Sequence, residues 1–297
     1  MVPFRKSLTF TLALILILNG CVSPKETKKD YSAETTITYT NLNTESEQAE
    51  LKSLLENAGV SKSQTDDLFK EINHFNDSVP DNMLSSGWET SPITYTKYDP
   101  YEMQEIYSEK NPDFIGYNCR ITAFSIIKDF VKADADIESD VLLLDLESLR
   151  ENPSAAASQE DLDKFKSLFG EIPTAASKNT DEHLEAMEKE WAIRSINFDE
   201  NKNMHLITVI FHDSADENKN ILFVGHAGIL FESEKALYFF EKVAFQEPYR
   251  LISFNNRTEL SDYLMIKYDI SENQPTADPF ITEDGKLMAG YRKNPMK

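Results

Sequence analysis

The sequence predicts an α+β protein, with helices in its first part and an antiparallel sheet in its second. Apolar residues in the first part recur at helical spacing, as at Ile121, Phe124, Ile127, Phe130 and Val131. The second part holds five runs rich in Val, Ile, Phe and Tyr: Ile193–Phe198, His205–Phe211, Ile221–Phe231, Ala236–Phe245 and Tyr249–Phe254. Turn residues separate them, as in an antiparallel meander. Helices followed by a sheet is the α+β order.

The N-terminus reads as an export signal. Arg5 and Lys6 precede an apolar run from Leu8 to Leu18, which is short for a membrane-spanning helix. The ending Leu18-Asn19-Gly20-Cys21 resembles a bacterial lipobox, which implies that Cys21 becomes the lipidated first residue. A plain signal peptide cut nearby is the alternative. From Ser23 to about Glu50 the chain is Lys, Thr, Ser, Asn and Glu with few aliphatic residues, so a flexible tether is expected. A coil of about 28 residues reaches about 30 Å. The expected organisation is thus a signal over 1–20, a lipidated tether over 21–50 and one α+β domain over 51–297. Such a protein sits on the outer face of the bacterial cytoplasmic membrane, its lipid anchor as its membrane partner.

Charge narrows the partners. The formal charge is −21, and losing Arg5 and Lys6 with the signal takes it to −23. No basic patch remains that suits nucleic acid.

Helices are predicted at Ser46–Ala58, Ser61–Phe75 and Pro100–Lys110, each with inward apolar residues. Val141-Leu142-Leu143-Leu144 is too short a run to assign. Ser158 caps a helix that runs through Phe165 and Phe169 to Gly170, and Thr180 caps another ending near Trp191. Residues 132–191 therefore read as a mostly helical insertion. A last helix is predicted at Thr258–Tyr268, then a tail with a turn at Asp284-Gly285.

The chemistry centres on Cys119. Asp113, Tyr117 and Asn118 precede it, Asn118 is a plausible N-cap, and an amphipathic helix follows. The positive end of a helix dipole favours thiolate over thiol. With Cys21 assigned to the anchor, Cys119 has no disulfide partner in an exported protein. It is then a reactive thiol, an intermolecular bridge or a small buried hydrophobe.

Five histidines are candidates for a base. His74 and His183 lie on polar helices and read as surface residues. His205 and His212 are seven apart on one strand and point to opposite faces, so no metal site is expected from them, and no cofactor. His226 lies in Val224-Gly225-His226-Ala227-Gly228-Ile229-Leu230, between small residues. A two-residue hairpin at Ser233-Glu234 would set Glu232 opposite Lys235, Leu230 opposite Leu237 and Gly228 opposite Phe239. His226 then faces Glu241, close enough for a carboxylate to orient the imidazole. A structural His–Glu pair is the other reading of this geometry. Cys119, His226 and Glu241 would be nucleophile, base and orienter. The Cys119 amide is a natural oxyanion donor, with Asn118 or Tyr117 as candidates for the second and Gln246 in reserve for a polar role.

A cysteine opening a helix, followed by a sheet with Gly225-His226-Ala227-Gly228-Ile229 and a polar residue on the next strand, resembles papain-like cell-wall hydrolases of the NlpC type. The resemblance implies a papain-like core, with the cysteine helix packed on a small antiparallel sheet. The usual Asp-Cys-Ser-Gly is Asn118-Cys119-Arg120-Ile121 here, and the span from cysteine to histidine is long. Over nearly its whole length the chain is identified as a member of DUF4300, lipoproteins of Gram-positive bacteria without an established activity. The stretches that carry this are Ile115–Phe124, Gly225–Leu230 and Glu241–Tyr249.

The function expected from these residues is a surface-anchored cysteine hydrolase that cuts an amide bond, with cell-wall stem peptides as the candidate substrate. The alternative is a non-catalytic lipoprotein that binds a peptide or partner on the same scaffold.

Overall fold

In the computed structural model, which describes residues 35–133, 141–152, 154–199, 203–216 and 219–297, Thr35–Lys297 form one unit. It starts with a strand, β1 (Thr36–Thr40), that turns Ile37 and Tyr39 inward. Helix α1 (Glu45–Asn57) opens on a capping box between Thr44 and Glu47 and buries Leu51, Leu54 and Leu55. Helix α2 (Lys62–Ser78) is capped by Ser61, whose hydroxyl accepts from the Gln64 amide. A short β2 (Glu89–Pro92) pairs with β1, and α3 (Pro100–Lys110) begins at Asp99 with proline at its first position. Next come α4 (Cys119–Ile127), β3 (Val131–Lys132), α5 (Leu143–Glu151), α6 (Gln159–Phe169), β4 (Ile172–Pro173) and α7 (Thr180–Ile193).

A short β5 (Asn197–Phe198) follows, and then four strands of the main sheet in order: β6 (Met204–Asp216), β7 (Lys219–Glu232), β8 (Leu237–Lys242) and β9 (Tyr249–Phe254). Helix α8 (Arg257–Tyr268) follows, and β10 (Phe280–Glu283) and β11 (Lys286–Leu287) close the chain. The spatial order is β11-β10-β6-β7-β8-β9-β1-β2, with β4 added on β7 and every pairing antiparallel. Strand alternation divides the core into two layers. Ala227, Ile229, Phe231, Phe240 and Leu251 face α2 and α4, whereas Leu230, Phe239, Ile252 and Phe254 face Leu260, Tyr263 and Leu264 of α8. The register of β6 on β7 shifts between Val209↔His226 and Ile210↔Val224, which makes Gly225 a bulge beside His226.

The structure confirms the α+β class and the antiparallel sheet, and it corrects several elements. The expected tether to Glu50 ends earlier, because Thr36–Thr40 is a paired strand and α1 begins at Glu45. The signal region and Cys21 lie outside the described residues. Ile193–Phe198 is not a meander strand: Ile193 ends α7, and only Asn197–Phe198 pair, with β3, in a separate small sheet. The tail instead supplies β10, paired with β6, and its turn holds Asp284 and Gly285 at φ 48° and 80°. His74 is exposed, as expected, but His183 is buried. Its ring nitrogens bond Thr174 Oγ1 and Ser177 O, both at 2.8 Å, and its ring lies 4.4 Å from that of His212.

The hairpin register also differs. Glu232 pairs with Leu237, Leu230 with Phe239 and Gly228 with Glu241, two residues away from the predicted pairing. The turn has four residues, closed by the Ser233 amide donating to Ala236 O and by the Ser233 hydroxyl donating to the same oxygen. A slip of two keeps every side chain on its face. Glu241 therefore stays on the His226 side, as its diagonal neighbour, while Lys242 turns to the other face, its Nζ 3.4 Å from the Phe75 ring centre.

Gly228 sits where β7 lies close against β8. A Cβ there would lie 2.3 Å from Phe239 Cζ and 2.8 Å from Phe240 O. Gly228→Val is expected to lower stability by about 1–3 kcal/mol through overpacking, read as an earlier urea midpoint with unchanged m.

Candidate active site

Helix α4 starts because Asn118, in an extended conformation, turns its Oδ1 to the Ile121 amide at 3.0 Å. The loop before it is set by Gly116 at φ 85°, a conformation L side chains rarely adopt. An added Cβ would also meet Tyr107 Oη at 2.6 Å. The Gly116 carbonyl accepts from the Ser148 hydroxyl of α5. Cys119 is thus placed at the first helical position, where its amide has no acceptor within the helix.

A buried ion pair fixes both neighbours of the cysteine. Asp145 on α5 receives Arg120 Nε at 2.6 Å and Nη2 at 2.9 Å, a two-pronged contact, and also Asn118 Nδ2 at 2.6 Å. Arg120 Nη1 donates to Val224 O at 3.0 Å, which ties α4 to β7 just ahead of the bulge. Asp145 is 1 % exposed and Arg120 7 %. Breaking such a pair leaves an unmatched charge indoors.

The sulfur meets the imidazole where the β7–β8 ladder stops. Pairing ends at Gly228↔Glu241. Beyond that point the Ala227 amide and the His226 ring face the Cys119 sulfur, and both act to lower its thiol pKa. His226 Nε2 stands 2.6 Å from Glu241 Oε2, so the carboxylate engages one ring nitrogen and leaves Nδ1 outside that contact. The other Glu241 oxygen accepts from the Tyr263 hydroxyl, and Lys267 Nζ lies 3.7 Å from it. Tyr268 stacks on the imidazole, ring centres 4.8 Å apart. Cys119 is 5 % exposed, and His226 and Glu241 are sealed.

The electrostatics favour a charged pair. Burial pushes the Cys119 thiol up, but the His226 charge, its hydrogen bond, Arg120 and the Ala227 amide outweigh it and bring the thiol below its ordinary value. Burial pushes His226 down, yet Cys119 and Glu241 leave the imidazole more basic than usual. Burial would raise Glu241, but Lys267 and His226 hold its carboxyl well below the usual carboxylate range. All three directions favour thiolate, imidazolium and carboxylate along the row.

The remaining predicted site residues are placed elsewhere. The Asn118 side chain is committed to Ile121 and Asp145, and the Tyr117 hydroxyl pairs with Ser154 Oγ at 2.8 Å. Gln246 is half-buried in the turn between β8 and β9, with no hydrogen bond to the row among the described residues. The sequence reading missed Asp145, Tyr263, Lys267 and Tyr268. His205, Glu232 and Glu283 bring potential metal ligands within 4.8 Å of one another. Arg257 already pairs with both carboxylates, and His205 Nδ1 bonds Asp284 at 2.7 Å, so a cation there would face a resident guanidinium.

Two measurements follow from this geometry. Alkylation of Cys119 by iodoacetamide should stay half-maximal at a pH below the free-thiol value of about 8.5. His226→Gln should move that midpoint up, since the largest lowering influence is gone. Asp145→Ala should cost about 3–5 kcal/mol, seen as a lower thermal midpoint, because Arg120 is left buried and unpaired.

Among the described residues no helix is long and apolar enough to cross a membrane. The chain has no match among curated proteins or solved structures. The family described as Domain of unknown function (DUF4300) matches residues 38–288, from within β1 to just past β11, and the chain belongs to it.

Proposed function

We propose that this chain is a cysteine hydrolase of papain-like type, held outside the cytoplasmic membrane by a lipid on Cys21, that cleaves amide bonds in peptides such as those of the cell wall. One observation carries the reading: a thiol at a helix N-terminus, electrostatically coupled to an imidazole that a buried carboxylate holds from behind. The lipobox-like ending at Cys21 and the resemblance to NlpC-type hydrolases support it, the first for location and the second for reaction class.

In this mechanism the Cys119 thiolate attacks the amide carbon, and the carbonyl π pair moves onto oxygen. The Cys119 amide donates to that oxyanion. As the C–N bond breaks, imidazolium His226 gives its proton to the leaving amine, and a thioester remains. Water then attacks the thioester with His226 taking its proton, and the proton returns to sulfur as the carboxylic acid departs. Glu241 keeps the ring oriented and offsets its charge throughout.

The burial of the thiol favours a second reading, a non-catalytic peptide-binding lipoprotein on the same scaffold. Thiol chemistry separates the two. If Cys119 resists iodoacetamide at neutral and mildly acidic pH while the protein remains folded, the hydrolase reading fails. If it reacts, hydrolysis of stem-peptide amides by the full chain should vanish in Cys119→Ala with the thermal midpoint retained. Tyr263→Phe, which strips one hydrogen bond from Glu241, should slow turnover by roughly tenfold, from about 1–2 kcal/mol of lost support.

A further inference from the structure

Lys267 is the charged group of this cluster that still reaches solvent, its side chain 24 % exposed where Cys119 is 5 %, His226 1 % and Glu241 0 % exposed. Its contacts are all long. Nζ lies 3.7 Å from Glu241 Oε1 and 3.4 Å from the Tyr263 hydroxyl, and it stands 5.5 Å and 5.4 Å from the centres of the Tyr263 and Tyr268 rings. Glu241 does not depend on it for a hydrogen bond, because His226 and Tyr263 already take its two oxygens. The ammonium therefore keeps donors unspent. It stands beside Tyr268, the half-buried ring that lies on the imidazole. In a chain of formal charge −21, a partly exposed cation at the carboxylate end of the row stands out.

The geometry points to Lys267 as the specificity residue of this site, taking a substrate carboxylate close to the bond that Cys119 attacks. This rests on the hydrolase reading and narrows its substrate class to peptides with an anionic group beside the scissile amide. A free C-terminal carboxylate is the compact form of that group, and an acidic side chain is the other source. Neighbouring charges suit the role: Arg120 and Arg250 are buried, Arg120 paired with Asp145 and Arg250 donating to Tyr98, so Lys267 is the partly exposed cation among them.

Two alkylating agents of nearly equal size provide the test, iodoacetate with a carboxylate and neutral iodoacetamide. Ordinary thiolates prefer iodoacetamide. In the full chain, Cys119, identified by the mass of its peptide, should react with iodoacetate at least as fast. Lys267→Met should slow iodoacetate by roughly five- to tenfold more than it slows iodoacetamide, the size of one partly exposed charge-assisted contact, and any slowing common to both reagents reads the support that Lys267 gives Glu241. Lys267→Arg should restore the preference. N-acetyl-alanyl-alanine should protect Cys119 better than its C-terminal amide; protection by N-acetyl-glutamyl-alanine amide instead would assign the contact to an acidic side chain. Equal effects of Lys267→Met on both reagents, or none, would overturn the inference and leave the hydrolase reading standing. Failure of both reagents on the wild-type chain would overturn the hydrolase reading itself, and the inference with it.

Discussion

His226 is an imidazole enclosed by protein with a charge on each flank, and the surrounding elements are arranged to satisfy it. A charge taken out of water costs several kcal/mol unless other charges and hydrogen bonds replace the solvent. Glu241 supplies the first replacement, and its own buried charge is in turn met by the Tyr263 hydroxyl and Lys267. Cys119 supplies the other, with the Ala227 amide and Arg120 lowering the cost of its thiolate. Each ionic group is supported by the next, so the row stands or falls together.

Such a row needs elements on both sides of the sheet to meet. Glu241 and His226 face α8, whereas α4 packs with the opposite core layer. They meet because β8 stops pairing at Glu241, leaving a gap beside β7 that the start of α4 fills. The bulge at Gly225 helps by reversing the alternation of β7 at this point: Val224 and Leu222 go to the α4 side while His226 stays on the α8 side. The strand irregularity and the helix terminus are two parts of one junction.

Much of this was legible in local pattern. The cap at Asn118, the helix after it and the strands β6 to β9 announce themselves by side-chain chemistry and period. The error in the β7–β8 register came from taking Ser233-Glu234 as the whole turn, when Ser233 to Ala236 form it. It did no harm to the face, because two residues is one full strand period. His183 was readable too: His183, Met187 and Trp191 recur every four residues and are buried together on α7. By contrast, β1 offers only Ile37 and Tyr39 as inward residues in a polar stretch, and its partner β9 is more than 200 residues away. Asp145 and Lys267 carry no local signal at all. Their roles exist only because α5 and α8 close on the cysteine and glutamate from elsewhere in the chain.

Stability alone does not call for this arrangement. Apolar residues of equal volume at a helix–sheet junction hold it at least as well as buried ions, and often better by a few kcal/mol. A structural His–Glu pair would also need no thiol at its open side. Here the thiol has the outer place in the row, at the one helix end where a thiolate is favoured, and both of its sequence neighbours are clamped by a single carboxylate. Asp145 holds them against rotation of α4, so the sulfur cannot move away from His226 without breaking hydrogen bonds of 2.6, 2.6 and 2.9 Å. That is rigidity directed at a distance between two reacting atoms, which catalysis needs and packing does not.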